Sequence, residues 1–116
     1  PYVPYDWLFP HMCAVVHHGG IGTSSMALRE QVPVQIIPFA YDQTFWGAQF
    51  YQQGIAPEPI ANQKVTIKRL QQGLEQLLYN QKLKNKVQAV SVEMQGKNGV
   101  EQAIKLLEPF LDNTVR

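Results

Sequence analysis

The run Ala14-Val15-Val16-His17-His18-Gly19-Gly20-Ile21-Gly22-Thr23 constrains this chain more than any other segment. Its first part is apolar and β-branched with little alternation, the pattern of a strand buried on both faces. Gly19 and Gly20 break the run, and Thr23 or Ser24 then stands where it can cap a helix reaching about Gln31. A strand, a glycine turn and a helix start, in that order, put the turn at the strand edge where open α/β sheets bind ligands. A helix N-terminus has unsatisfied N–H groups and carries about half a positive charge. Glycines let a phosphate approach that end without a Cβ in the way. Gly20, Gly22, Thr23 and Ser24 are therefore candidate phosphate contacts, and His18 at the strand end has an imidazole to donate. The turn lacks the complete Gly-x-Gly-x-x-Gly of a dinucleotide fold and the Gly-Lys-Ser/Thr of a P-loop. A tight turn with its histidines packed on the sheet is the alternative.

The rest of the chain extends the pattern. Tyr2-Val3 reads as the tail of a short strand ended by Pro4, and Asp6 as the cap of a helical turn from Trp7 to Met12. Val34 to Ile37 predicts a second strand stopped by Pro38, and Asp42 the cap of a helix running to Gly54. Ile55-Ala56-Pro57 begins a strand-like connection, although Pro57 and Pro59 suit an edge or a loop. Thr66 caps a helix with Leu70, Leu74, Leu77 and Leu78 on one face. Asn80 breaks it, a further helix covers about 82–95, and a last one about 99–111. This is α/β patterning: part of a Rossmann-like parallel sheet flanked by helices, ending in several helices. Residues 1–111 form one partial domain and 112–116 a frayed tail.

At 116 residues and a net charge of +1, the chain is one domain with no polyanion-binding balance, so no nucleic-acid partner is expected. Lys82, Lys84 and Lys86 read as a solvated helix face. Nothing approaches the ~20 apolar residues of a membrane span. Cys13 is the only cysteine, which fits a reducing, cytoplasmic setting, and its apolar surroundings predict a buried, inert thiol. His17 and His18 are strand neighbours facing opposite ways, so they do not chelate one ion; no metal and no cofactor are expected. His17 reads as a hydrogen-bonded core residue. Asp42 and Gln43 follow the second strand and should share the edge of the glycine turn. A carboxylate accepts from sugar hydroxyls, while an amide both donates and accepts. The alternative is that Asp42 only caps its helix and Gln43 is exposed. Trp46 either lines a sugar pocket or fills the core.

Pro4-Tyr5-Asp6-Trp7-Leu8-Phe9-Pro10, the His-His-Gly-Gly-Ile-Gly-Thr run, Val32-Pro33, and Pro38 to Gly47 together resemble the donor-binding, C-terminal half of GT-B fold glycosyltransferases. Within that group the chain looks like the sterol 3-beta-glucosyltransferases and the bacterial glycosyltransferases of glycopeptide antibiotics. The resemblance implies an inverting transfer of a hexose from a UDP- or dTDP-sugar, UDP-glucose favoured, to a hydroxyl of a lipid, sterol or other small acceptor. It implies that Tyr2 and Val3 grip the nucleobase, that His18, Gly20, Gly22, Thr23 and Ser24 hold the diphosphate, and that Asp42 and Gln43 read the sugar. Two positions depart from plant relatives: Met26 stands where they have a ribose-binding glutamate, and Tyr2 where they have a tryptophan.

The same resemblance assigns the catalytic base to an N-terminal acceptor-binding domain, and no residue here matches it. Relatives also begin this domain with two strand–helix units ahead of Tyr2. The expectation is therefore a donor-binding portion whose acceptor domain lies on the same or another chain. Alternatives are a non-catalytic nucleotide-sugar binding subunit or an inactive truncated product. Without its inner neighbour the strand at Ala14 would present an unpaired edge, which favours self-association.

Overall fold

Val15–His17 forms a strand, β1, and Val34–Ile36 a second, β2. They pair in parallel, with Val15 opposite Val34, Val16 opposite Gln35 and His17 opposite Ile36. The computed structural model describes residues 3–95. A parallel pair needs a long crossover, and helix α2, Ile21–Arg29, supplies it. Helix α2 stops at Arg29, short of Gln31, because Gln31 turns left-handed at φ 62°. There the N–H of Gln31 bonds the carbonyl of Leu28 and that of Val32 bonds Ala27, closing a Schellman motif. The cap at the other end is Gly20 rather than Thr23 or Ser24. The chain already turns at Gly19, φ 97°, so helical geometry starts ahead of the first hydroxyl.

Helix α3, Gln43–Gln52, follows β2 and ends at Gly54 in a second Schellman motif, with Gly54 bonding Tyr51 and Ile55 bonding Phe50. The strand-like connection pairs later than Ile55. Pro57 and Pro59 have no N–H to donate. Pairing therefore begins only at Ile60, whose N–H bonds Ile36, followed by Asn62 to Pro38. Ile36 and Pro38 alternate with Pro33 and Ile37, which bond β1, so this segment flanks β2 on the side away from β1. Thr66 caps α4, Ile67–Tyr79, its hydroxyl accepting from the Arg69 N–H at 3.1 Å. After Asn80 comes α5, Gln81–Gln95.

Several expectations need correction. The chain enters through α1, Tyr5–Leu8, and a 3-10 turn, Phe9–His11. Pro4 caps α1 through its carbonyl, so Asp6 sits inside the first turn. Val3 is exposed and in no strand. Cys13 is exposed, because it lies in the bend before β1 rather than on it. β1 is not buried on both faces: Val16 is 44% exposed. All of β2 is buried because it is flanked on both sides, whereas β1 is the edge among the described residues. Tyr2, the predicted helix at 99–111 and the tail at 112–116 lie outside the described residues. Among those described, no helix is long and apolar enough to cross a membrane.

The core joins Phe9, the inner faces of α2 and β2, Phe50 and Ile55, and Leu83 and Val87 of α5. Helix α5 also finishes α2: Ser91 Oγ and Gln95 Nε2 both donate to the Arg29 carbonyl at 2.8 Å. Helix α4 crosses β2 over Gln35, which is fully buried and donates through Nε2 to the carbonyls of Ile36 and Glu58. A Cβ at Gly73 would overlap Gln35 Oε1. Glycine is thus what lets α4 lie on the sheet. Gly73→Ala should cost about 2 kcal/mol in urea unfolding, and the cost should shrink when Gln35 is shortened to Ala in the same chain.

Candidate functional site

At the end of β1 the chain folds back on its own imidazoles. The Gly19 N–H donates to His17 Nδ1 and the Gly20 N–H to His18 Nδ1, each at 3.0 Å. Because Nδ1 accepts in both rings, the proton of each neutral imidazole sits on Nε2. His17 Nε2 is buried with no partner among the described residues, whereas His18 is exposed. Burial, then the neighbouring His18, hold the His17 pKa down at about 4. His17 is therefore neutral at physiological pH, and its ring anchors the turn.

Two glycines here do different work. Gly19 is left-handed, and a Cβ on it would lie 2.6 Å from Ile36 Cγ2 and 3.3 Å from the Gln43 carbonyl. Its missing side chain lets the glycine turn touch the start of α3. Gly22 is exposed and a Cβ there would meet no protein atom within 4 Å, so packing does not require it. Helix α2 has no side-chain cap, and among the described residues the N–H groups of Ile21, Gly22 and Thr23 have no protein acceptor. Thr23 is half-buried at this end; Ser24 is fully buried, its hydroxyl without a partner among the described residues.

The loop from β2 to α3 brings the second group of polar atoms. Gln43 Oε1 accepts from the N–H of Phe39 at 2.8 Å and of Ala40 at 3.0 Å, closing the loop on itself. Tyr41 is left-handed at φ 59° and 92% exposed. A non-glycine residue there costs about 1 kcal/mol, which the Gln43 bonds offset. Asp42 sits at the N-cap position of α3 but makes no cap bond; its Oδ2 accepts from the Trp46 indole N–H at 3.0 Å. Asp42 is thus not the ordinary helix cap, and Gln43 is neither exposed nor idle.

Gly19, between His18 and Gly20, approaches the backbone of Gln43, which brings the glycine turn beside the start of α3. Val3 is exposed at the chain's entry. Sequence reasoning missed the indole–carboxylate bond. Its signal was the Asp42-x-x-x-Trp46 spacing, which places the two side chains on neighbouring turns.

The profile of the erythromycin biosynthesis protein CIII-like C-terminal domain matches residues 1–108. A sterol 3-beta-glucosyltransferase of Arabidopsis thaliana is 38% identical over 103 residues, which are 89% of this chain and 16% of that protein. The chain therefore spans about a sixth of that relative's length. Among solved structures, the glycotransferase of kitacinnamycin superposes with a TM-score of 0.77 at 26% identity, covering 93% of this chain and 28% of that one. Glycosyltransferase VinC in complex with dTDP gives 0.73 at 27% identity, over 93% and 28%. The architecture is that of the C-terminal half of a GT-B fold.

The two glycines should separate in chemical denaturation. Gly19→Ala should lose about 2 kcal/mol or more from strain and overlap. Gly22→Ala should gain about 0.5 kcal/mol from helix propensity. His17 is held neutral when folded but titrates near 6.5 when unfolded. Its stabilisation is complete above pH 6.5 and is lost as pH falls towards 4. The urea midpoint should drop from pH 7 to pH 5, and less so in His17→Gln.

Proposed function

This chain belongs to the erythromycin biosynthesis protein CIII-like C-terminal domain family of glycosyltransferases, and from that premise we propose that it binds the nucleotide-sugar donor, a UDP- or dTDP-hexose with UDP-glucose preferred. The observation that carries this reading is that Gly19, just ahead of the uncapped end of α2, approaches the backbone of Gln43 at the start of α3, where Asp42 and Gln43 stand. One group suits a diphosphate and the other a polyol, and a nucleotide sugar offers both on adjacent atoms.

In this reading the free N–H groups of Ile21, Gly22 and Thr23 take the diphosphate oxygens, aided by the α2 dipole. His18 adds its Nε2–H, already on the outer nitrogen because Nδ1 accepts from Gly20. Tyr2 and Val3 hold the base. Asp42 and Gln43 hold the sugar hydroxyls. When an acceptor hydroxyl attacks the anomeric carbon and the C–O bond to phosphate breaks, negative charge grows on the diphosphate. The helix end and His18 are aimed at that charge and stabilise it without needing a metal. The partner this reading requires is an acceptor-binding domain that supplies the base. Transfer then goes to a lipid, sterol or other small hydroxyl acceptor.

The name of the sterol 3-beta-glucosyltransferase relative supports glucose as the sugar, and the dTDP complex of VinC supports thymidine as the alternative to uridine. Calorimetric titration with UDP, dTDP and UDP-glucose decides between them. His18→Ala should weaken UDP by about tenfold or more. Asp42→Ala should leave UDP affinity in place and reduce the preference for UDP-glucose over UDP. Equal UDP affinity in wild type and His18→Ala removes the diphosphate role.

A further inference from the structure

The Asp42–Gln43 pair is held from behind. An aspartate at a helix N-cap ordinarily turns its carboxylate onto the free amides of the first turn. Here no such bond forms, and Oδ2 is taken by the Trp46 indole N–H at 3.0 Å. The Trp46 ring is in turn met edge-on by Phe45, centroid to centroid 4.9 Å at 75°. On the neighbouring residue, Gln43 Oε1 is occupied by the N–H groups of Phe39 and Ala40. Among the described residues each side chain thus has one end tied and one end open: Asp42 Oδ1, which only accepts, and Gln43 Nε2, which only donates.

We propose that Trp46 is a positioning residue for the donor sugar. Its indole holds the Asp42 carboxylate away from the α3 amides, so that Oδ1 accepts from one sugar hydroxyl while Gln43 Nε2 donates to the next. With the amide oxygen of Gln43 closed off, the pair is polarised, and it matches two adjacent hydroxyls, one donating and one accepting. A sugar lacking either hydroxyl would leave one open group unpaired, so the same geometry sets specificity against deoxy-sugars. This inference rests on the reading of Asp42 and Gln43 as sugar contacts.

The test is calorimetric titration of the intact protein with UDP and UDP-glucose, in Trp46→Phe, Asp42→Ala and the double variant. Phenylalanine keeps an aromatic ring beside Phe45 while removing the N–H donor together with part of the indole's bulk. Trp46→Phe should leave UDP affinity unchanged and lower the UDP-glucose to UDP affinity ratio by about fivefold. In the Asp42→Ala background it should change that ratio no further, since the indole then has nothing to position. Equal losses of UDP and UDP-glucose in Trp46→Phe overturn the proposal, because a merely structural role moves both. So does a further drop of the ratio in the double variant. If Asp42→Ala loses the sugar preference while Trp46→Phe retains it, the positioning role alone fails. If Asp42→Ala retains it, the sugar reading fails and takes this inference with it.

Discussion

The contact of Gly19 with Ile36 and Gln43 is the constraint on which the candidate site depends. The parallel register places His17 opposite Ile36, so the chain leaves both strands at the same level of the sheet. Two loops emerging there would collide if either carried bulk on its inner side. Gly19 removes that bulk: it takes a left-handed φ of 97° and presents no Cβ where Ile36 Cγ2 and the Gln43 carbonyl lie. The glycine turn ahead of α2 and the polar start of α3 therefore lie side by side.

Around that contact the polar groups are oriented by their neighbours rather than left to solvent. Consecutive backbone N–H groups fall on consecutive imidazoles, which fixes the tautomer of both rings. Burial keeps His17 neutral, so the turn gains its anchor without a buried charge. The β2–α3 loop is set in the same manner. Tyr41 is forced left-handed, Gln43 bonds the two amides ahead of it, and Trp46 draws the Asp42 carboxylate away from α3. Strain of this kind persists where the surrounding bonds over-determine it, and it concentrates at functional loops.

Local chemistry made most element types legible. The capping of α4 by Thr66, the stops at Pro38, Gly54 and Asn80, and the amphipathic face of Leu70, Leu74, Leu77 and Leu78 all follow from residues close in the chain. The errors fall where one local signal was overruled by another, or by the place of a segment in the sheet. Thr23 and Ser24 are good caps, yet the turn at Gly19 starts the helix before them. Asp42 is a good cap, yet the indole takes its carboxylate. Val16 is apolar, yet β1 is the edge among the described residues. Cys13 has apolar neighbours in sequence but sits in a bend exposed to solvent.

The run from Ala14 to Thr23 determined by itself that a strand would end in a glycine turn and open a helix, because β-branched residues, paired glycines and a following helical pattern admit little else. With Pro38 to Gly47 it also carried the family resemblance that the similarity of residues 1–108 bears out. Tertiary structure decided which glycine serves which purpose. Gly19 and Gly20 are alike on paper, but a Cβ on Gly19 would press on β2 and α3, one on Gly20 would first meet the His18 ring, and one on Gly22 would meet nothing within 4 Å among the described residues. It decided likewise that Asp42 and Gln43 each keep one free end. Periodicity and propensity name the elements; the approach of β2 and α3 at Gly19 and the hydrogen bonds made within each turn orient the polar groups, because the folded backbone decides which nearby groups meet.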